Sequence, residues 1–156
     1  MRRGRVTGTD LYERFLPVAP LDVFGMGVRA LSVPGITTYD DPPQAVMHEQ
    51  LARRRAYLHL CRWTSLGLSL IEAMQMGMPV LALATTEAIA AVPEGAGILS
   101  TRVQTLVDAA HWLIEEPEEA RRMGERARRT SLARYGLDRF LADWDHLLEG
   151  HTCASR

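Results

Sequence analysis

The segment from Arg62 to Met74 has the clearest potential for chemistry in this 156-residue sequence. It follows a buried strand pattern and opens a helix, so it lies at the carboxyl edge of the predicted sheet, where open α/β sheets bind their ligands. The first amides of a helix are free donors that attract anions such as a diphosphate, and the residues that supply them here are Leu66, Gly67, Leu68 and Ser69. Gly67 also lets the backbone approach a ligand closely.

Glu72 shares a helical face with Ser65 and Ser69, because it follows them by seven and three residues. A carboxylate at this position can accept hydrogen bonds from two sugar hydroxyls while the amides hold the phosphates. The alternative is an exposed first-turn acid that complements the helix dipole. Because the neighbours of Glu72 in the helix are almost all apolar, the pattern favours the binding role.

A second motif, from Gly25 to Ala30, fits the G-x-G-x-x-A pattern of dinucleotide-binding proteins, and Asp40 stands where a ribose-binding acid would lie. The helix that follows must end before Pro34, which leaves about six residues, whereas a crossover helix needs about ten or more. The spacing therefore predicts a tight glycine turn. An NAD-binding oxidoreductase is the alternative that this motif leaves open.

Other catalytic signatures are missing from the sequence. His48 and Glu49 lack the second histidine of a zinc-protease helix, because Ala52 occupies its position, and His48 is interpreted as a surface or half-buried residue. No G-x-S-x-G turn or P-loop occurs. Cys61 and Cys153 belong to no C-x-x-C pair and indicate no disulfide framework. The sequence predicts no metal site.

The composition is that of an ordinary globular protein, with 47% hydrophobic and 24% charged residues. A net charge of −1 argues against a nucleic-acid partner. Arginines cluster at residues 2–5, 53–55 and 121–129, and the last two clusters are interpreted as solvated helix faces. No apolar run approaches the ~20 residues of a membrane span. The basic N-terminus is not followed by the apolar segment of a signal peptide, so it is not interpreted as one. We therefore expect a cytoplasmic protein.

Strands and helices alternate in the pattern that must position these residues. The segment PVLALA is apolar on both faces, which is typical of a parallel strand covered by helices. Asp41 is predicted to cap a helix that opens at Pro42 and runs to about Arg54, and Gly77 is predicted to end the helix 68–76. From Val103 onward the pattern is almost wholly helical. Short apolar runs predict strands at 21–24, 36–39, 56–61, 79–84 and 97–100.

This order predicts an α/β fold, a Rossmann-like doubly wound parallel sheet with a helical C-terminal segment. The segment from Tyr57 to Ser100 resembles the core of family-four retaining glycosyltransferases of the two-domain B architecture, which share the pattern E-G-x-G-L-x-x-x-E-A-M-A-x-G-x-P-V. The matching residues are Gly67-Leu68, Glu72-Ala73-Met74 and Gly77-Met78-Pro79-Val80. A weaker resemblance extends over about residues 20–149.

The resemblance implies the donor-binding domain of an enzyme that transfers a sugar from a nucleoside-diphosphate sugar to an acceptor with retention. It implies that Glu72 holds the donor ribose and that the amides of Gly67 and Leu68 contact the diphosphate, with no metal or further cofactor. Ser65 and Ser69, on the same helical face as Glu72, are predicted to contact the nucleotide-sugar as well. Basic residues early in the domain, here Arg3 and Arg5, are implied as further diphosphate contacts, the alternative being a basic terminus without such a role. Thr64 stands where the family has its first glutamate, which lies close to the transferring sugar, so the resemblance assigns a catalytic position to Thr64. Because threonine has no carboxylate, donor choice or catalysis is expected to differ from that of the family.

The family has two Rossmann-like domains, and this chain corresponds to the second. The first strand of its sheet is expected to be missing, which would leave two facing edges without partners. We predict a basic loop and first helix at 1–19, a nucleotide-sugar-binding domain at 20–149 and a disordered tail at 150–156. Association with a membrane surface would need the missing N-terminal domain. A non-catalytic nucleotide-sugar-binding relic or interaction module is the main alternative to an enzyme, and the acceptor stays unknown.

Overall fold

The computed structural model describes residues 3–152, so Met1, Arg2 and the end of the predicted tail at 153–156 lie outside the described part. Its strands are β1 (Leu21–Gly25), β2 (Ile36–Asp40), β3 (Tyr57–His59), β4 (Val80–Leu83) and β5 (Gly97–Ser100). Its α-helices are α1 (Arg3–Thr7), α2 (Gln44–Leu51), α3 (Leu68–Gln75), α4 (Ala88–Ala91), α5 (Val103–Glu115), α6 (Pro117–Tyr135) and α7 (Leu137–Thr152). Short 3₁₀ helices cover Thr9–Arg14 and Val28–Ala30.

Every strand pair within the described residues is parallel. β1 pairs with β2, from Leu21 opposite Ile36 to Gly25 opposite Asp40. β4 lies between β3 and β5 in a second sheet. The predicted parallel α/β architecture with a helical C-terminal segment is confirmed, and each predicted strand is present.

β4 lies at the centre of the core, and all four of its residues are buried. Val80 and Ala82 pack with α3 and α6 on one side of the sheet. Leu81 and Leu83 pack with α5 on the other side. Successive residues of a strand point to opposite faces, so a strand covered by helices on both sides needs apolar residues throughout. This requirement explains the unbroken apolar run that the sequence shows here.

The two sheets do not join. β1 and β3 face each other across a cleft of about 290 Å³, named here the inter-sheet cleft, and no strand of residues 3–152 fills it. The cleft is lined by Val23 and Phe24 from β1 and by Tyr57 and Leu58 from β3. The structure thus contains the two facing, unpartnered edges that the sequence led us to expect.

The start and the end of α2 differ from the sequence prediction. The predicted cap at Asp41 is wrong, because Pro43 is the residue before the helix and Asp41 has a positive φ of 49°. A proline keeps the residue before it out of the helical region, and two consecutive prolines therefore delay the helix to Gln44. α2 also ends at Leu51, whose carbonyl accepts the amide of Arg54 in a turn (2.9 Å).

Gly77 ends α3 as predicted. Its φ of +79° is left-handed, its amide donates to Met74 O (2.9 Å), and the amide of Met78 donates to Ala73 O (3.1 Å). This pair of bonds is the Schellman pattern, which satisfies carbonyls at a helix end. Gly124 of α6 packs against the same turn, since a Cβ added to it would lie 1.9 Å from Gly77 O. The turn therefore seats α6 on the end of α3.

The last helix, α7, keeps an apolar side in contact with solvent. Its large apolar residues recur every three or four positions, as on one face of a helix, yet all are exposed. No helix within residues 3–152 has the length and apolar character needed to cross a bilayer. The exposed residues of this face are Leu137, Phe140, Leu141, Trp144, Leu147 and Leu148.

Candidate functional site

The loop between β3 and α3 lies at the carboxyl edge of the sheet, as predicted. Gly67, the residue before α3, is extended (φ −73°, ψ 122°). Its carbonyl accepts the amide of Leu70 (3.0 Å), whereas the amides of Leu68 and Ser69 have no acceptor within residues 3–152. The Leu68 side chain is 84% exposed, so these donors open to solvent. Two free amides at a helix N-terminus are what an oxyanion requires.

His59 lies directly beneath this loop. A Cβ added to Gly67 would lie 3.0 Å from His59 Cε1, so a larger residue here would require the imidazole to shift by a few tenths of an ångström. His59 is only 4% exposed, and its burial lowers the pKa of the imidazole, which keeps the ring neutral at pH 7. Sequence analysis missed His59, although the signal was available, since it is the one strongly polar side chain in the run AYLHLC.

Glu72 is held in place from a second helix. Its carboxylate contacts His48 Nε2 and accepts a hydrogen bond from Gln44 Nε2 at 3.3 Å, both from α2. The Glu72 side chain is 27% exposed and lines the inter-sheet cleft together with Ser69. The carboxylate is therefore fixed in orientation yet still open to a ligand. His48 had been interpreted as half-buried, which is correct, but its contact with Glu72 was not foreseen.

Ser69 is oriented by the strand below it. The Tyr57 hydroxyl donates to Ser69 Oγ at 2.9 Å. Burial raises the pKa of Tyr57 to about 12, so the phenol keeps its proton and remains a donor at neutral pH. The hydroxyl of Ser69 is thus held toward the cleft, beside the carboxylate one helical turn further on.

The N-terminal basic segment reaches the same end of β3. The Arg62 amide donates to Val6 O (2.9 Å), and Arg62 Nη1 donates to Arg5 O (2.8 Å). α1 therefore lies beside the loop that leads to Gly67. The Arg5 side chain is exposed, and the side chain of Arg3 lies outside the described part. Contact of these two arginines with a diphosphate stays a prediction.

Thr64 and Ser65 lie in the loop before Gly67. Thr64 is half-buried and Ser65 is exposed, and neither side chain hydrogen-bonds to another residue of the described range. Their hydroxyls therefore have free donor and acceptor capacity. The roles assigned to them from the sequence stay predictions.

The motif from Gly25 to Ala30 forms the tight turn that its spacing predicted. The helix after Gly27 is a 3₁₀ turn of three residues. The Val28 amide donates to Asp40 Oδ1 at 3.0 Å, and Arg29 Nε pairs with Asp40 Oδ2 at 2.9 Å. Asp40 therefore closes the turn instead of facing a ribose. A dinucleotide-binding oxidoreductase is not favoured.

No group of three or more His, Cys, Asp or Glu side chains converges as a metal site within the part of the chain that the structure describes. Cys61 is a free thiol, and burial raises its pKa. The donors around the loop are instead amides, hydroxyls and arginines. This set suits an anionic organic ligand.

A parallel sheet with free helix amides at its carboxyl edge and a fixed carboxylate one turn further on is an arrangement typical of α/β domains that bind nucleotides. The family model described as "Glycosyl transferases group 1" matches residues 38–130. The chain belongs to this family, which confirms the resemblance drawn from the sequence. No curated protein sequence matches the chain.

Several solved structures share the fold. A sucrose-phosphate synthase from Thermosynechococcus elongatus is 19% identical, with a TM-score of 0.81 over 99% of this chain and 44% of its own. HepE from Anabaena, in complex with UDP-glucose, is 17% identical, with a TM-score of 0.77 over 93% of this chain and 46% of its own. WaaG, a glycosyltransferase involved in lipopolysaccharide biosynthesis, is 17% identical with a TM-score of 0.72, over 86% and 41%. The chain spans less than half the length of each.

Proposed function

We propose that this chain is the donor-binding part of a glycosyltransferase, which moves a sugar from a nucleoside diphosphate to an acceptor with retention of anomeric configuration. The observation that carries the proposal is the pairing of two free amides, at Leu68 and Ser69, with the carboxylate of Glu72 beside them. The amides suit a diphosphate, and the carboxylate suits the two hydroxyls of a ribose.

The contribution of the site to the reaction is orientation and charge stabilisation. The diphosphate leaves with the electron pair of its bond to the sugar, and the amides of Gly67, Leu68 and Ser69 stabilise the developing charge. Arg3 and Arg5 are proposed to contribute positive charge to the diphosphate site. Glu72, held by His48, fixes the ribose and with it the position of the reacting bond. No metal is needed for this division of roles.

A uridine nucleotide is the proposed donor, supported by the fold shared with HepE, which was solved in complex with UDP-glucose. Thr64, at the position of the family's first glutamate, and the hydroxyl of Ser65 are proposed to lie near the transferred sugar. A cytoplasmic location is proposed from a sequence without a disulfide framework. The non-catalytic alternative retains the nucleotide site and lacks turnover.

The test of the site is UDP binding to the purified chain, measured by isothermal titration calorimetry. Glu72→Gln keeps the shape of the side chain but replaces one carboxylate oxygen, which accepts a hydrogen bond from a ribose hydroxyl, with an amide that donates. We therefore expect the dissociation constant for UDP to rise roughly tenfold or more. Glu87→Gln is the matched control, because Glu87 is exposed and lies outside the cleft. Thermal unfolding of each variant checks that the fold is retained.

Equal UDP affinity of Glu72→Gln and the unaltered chain would contradict the ribose assignment. Absence of UDP binding to the unaltered chain would contradict the whole site. The same protein samples distinguish an enzyme from a relic, because UDP released from UDP-glucose shows turnover. UDP binding without such release favours the non-catalytic alternative.

A further inference from the structure

Two arginine-rich segments, far apart in the sequence, meet at one cavity of about 390 Å³. Arg53, Arg54 and Arg55 come from the turn after α2, and Arg121 comes from the first part of α6. The sequence had suggested only solvated helix faces for both segments. The cavity, named here the arginine pocket, is also lined by Ala52, Met76, Gly77, Met78, Pro79, Pro117 and Ala120.

The arginine pocket lies at the opposite edge of the sheet from the Gly67 loop. Arg55 and Pro79, which line it, come shortly before β3 and β4 begin, whereas Gly67 follows the carboxyl end of β3. Arg54, Arg55 and Met78 also line the inter-sheet cleft, but Ser69 and Glu72 line the cleft alone, and Arg53 and Arg121 line the pocket alone. A ligand in this pocket would therefore be a second ligand, and its binding does not depend on the function proposed above.

No acidic side chain lines the pocket, although acids pair with three of its arginines from outside. Arg53 pairs with Glu49 on the surface, where the two side chains are 62% and 60% exposed. Arg121 pairs with Glu118 (3.1 Å) and with Glu125, and all three are more than half exposed. Exposed pairs of this kind are worth about 0–1 kcal/mol, so an oxyanion that engages several arginines at once can displace them.

Arg54 and Arg55, the other two arginines of the pocket, differ in whether they already have a partner. Arg54 pairs with Asp22 and donates to Tyr39 Oη at 3.3 Å. The Arg54 and Asp22 side chains are 31% and 16% exposed, so this pair is the least accessible to a competing anion. Arg55 forms no hydrogen bond or ion pair with any residue of 3–152. The cations available to a ligand are therefore Arg55 first, then Arg53 and Arg121.

The amides at the floor of the pocket are already used. Those of Gly77 and Met78 donate to α3 carbonyls at 2.9 and 3.1 Å, so the guanidinium groups are the donors left for a ligand. Guanidinium groups match the oxygens of phosphates and carboxylates in a two-pronged geometry, which favours an oxyanion over a halide. A phosphate also has the additional oxygens and charge to engage several arginines at once. The volume lies within the ~300–1,000 Å³ typical of small-molecule sites, which is more than inorganic phosphate alone would need. Of the apolar lining residues, Met76 is half-buried and Ala52 and Pro117 are exposed, so these three can contact the rest of such a molecule.

We propose that the arginine pocket binds a small phosphorylated molecule through Arg53, Arg55 and Arg121. Its phosphate oxygens replace the exposed carboxylates of Glu49 and Glu118, and its organic part lies against Met76 and Pro117. The arrangement gives the chain an anion site separate from the one that would hold a donor diphosphate.

The experiment is a titration of the ¹⁵N-labelled chain with sodium pyrophosphate at constant ionic strength, followed by two-dimensional NMR of the amides. Pyrophosphate can also bind at the Gly67 loop, but the two sites have separate reporters: Gly77 and Arg121 for the pocket, and Leu68 and Ser69 for the loop. We expect saturable shifts at Gly77. We expect Arg121→Ala to raise the dissociation constant measured there by roughly five- to tenfold, as for loss of one charge-assisted contact.

Matched variants separate a site from general charge attraction. Arg122→Ala removes the neighbouring charge on the same helix, which pairs with Glu119 and lies outside the pocket, and it should leave the Gly77 titration unchanged. Arg55→Ala should weaken binding at Gly77 without altering shifts at Leu68. Non-saturating shifts, or equal weakening by Arg122→Ala and Arg121→Ala, would overturn the proposal. The Leu68 and Ser69 shifts test the other anion site, so failure of one site is distinguishable from failure of the other.

Discussion

Two helices together fix the position of a single carboxylate, that of Glu72. α3 carries Glu72 one turn beyond the free amides, and α2 brings His48 and Gln44 against it. A half-exposed acid without these partners would sample several rotamers, and ligand binding would have to overcome that freedom. The contacts from α2 reduce this cost before a ligand arrives. Preorganisation is thus visible at the scale of one side chain.

His59 gives the fold a pH dependence with a defined sign. Burial lowers the pKa of the folded-state imidazole below its ordinary value of 6.5, so the unfolded chain takes up this proton first as the pH falls. The stability that neutral His59 provides is complete above about pH 6.5 and is lost as the pH falls toward the folded-state pKa. His59→Leu should therefore flatten the decrease in unfolding free energy below pH 6.5, measured by urea denaturation.

Direct observation of the His59 ring protons by NMR provides a second measurement that does not depend on the variant. The midpoint of their titration in the folded chain should lie below 6.5. A midpoint at or above that value, or an unchanged pH slope in His59→Leu, would be incompatible with burial as the cause.

The sequence indicated the role of a residue only where its neighbours in the same helix or strand were sufficient to reveal it. Glu72 was recognisable because a lone acid among apolar helix residues is conspicuous. The partner of His48 was not recognisable, because a histidine on a helix does not indicate which neighbouring helix it will meet. The same limit applied to Arg55 and Arg121, which become neighbours only when α2 and α6 pack beside one turn.

At the scale of elements, signals contained within one element predicted most of the fold. The apolar run of β4 indicated helices on both faces, and Gly77 marked the end of α3. The N-terminus of α2 was wrong because the cap rule was applied without the restriction that Pro43 places on the residue before it. The need for glycine at residue 124 could not be predicted from α6 alone, because it comes from the Gly77 carbonyl in a different element.

The contact between Gly124 and the Gly77 turn predicts a reversal of the usual helix rule. Alanine normally stabilises a helix interior by about 1 kcal/mol relative to glycine. A Cβ at residue 124 would instead lie 1.9 Å from Gly77 O and 2.8 Å from its carbonyl carbon. Gly124→Ala should therefore lower the unfolding free energy by about 2 kcal/mol or more, because α6 has to move away from the end of α3.

Urea denaturation measures this change, with Ala133→Gly as the control at an exposed position of the same helix. The control should lose only the propensity difference of about 1 kcal/mol. A Gly124→Ala chain as stable as the unaltered one would mean that α6 is not seated on the turn.

For the whole molecule, the main feature is a parallel sheet in two separate parts. The strand order predicted from the sequence implied an open slot, because a doubly wound sheet needs a central strand that the pattern did not contain. The width and lining of that slot could not be predicted, since they depend on how α2, α5 and the first 3₁₀ helix pack around it. The structure shows a cleft whose walls include Phe15, Met47 and Ile114.

The hydrogen bonds at the cleft show which amides it leaves unpaired. The Leu21 amide donates to the carbonyl of Gly35, just before β2, at 2.9 Å, so it points toward β2. Backbone amides alternate in direction along a strand, so the amides of Asp22 and Phe24 point into the cleft. The Tyr57 amide donates to Pro79 O at 3.0 Å, so the next amide of β3 also faces the cleft. By this alternation the unpaired strand amides belong to Asp22, Phe24 and Leu58.

Native-state hydrogen exchange, resolved by NMR, tests this division of the sheet. Amides of Phe24 and Leu58 can exchange from the folded state, because no strand covers them. Amides of Leu81 and Ala82 lie in a strand paired on both sides, so they exchange only when the core opens. Since opening of a core costs several kcal/mol, the two groups should differ in exchange rate by on the order of a thousandfold or more. Comparable protection of Leu58 and Leu81 would mean that β1 and β3 close on each other in solution and that the inter-sheet cleft does not persist.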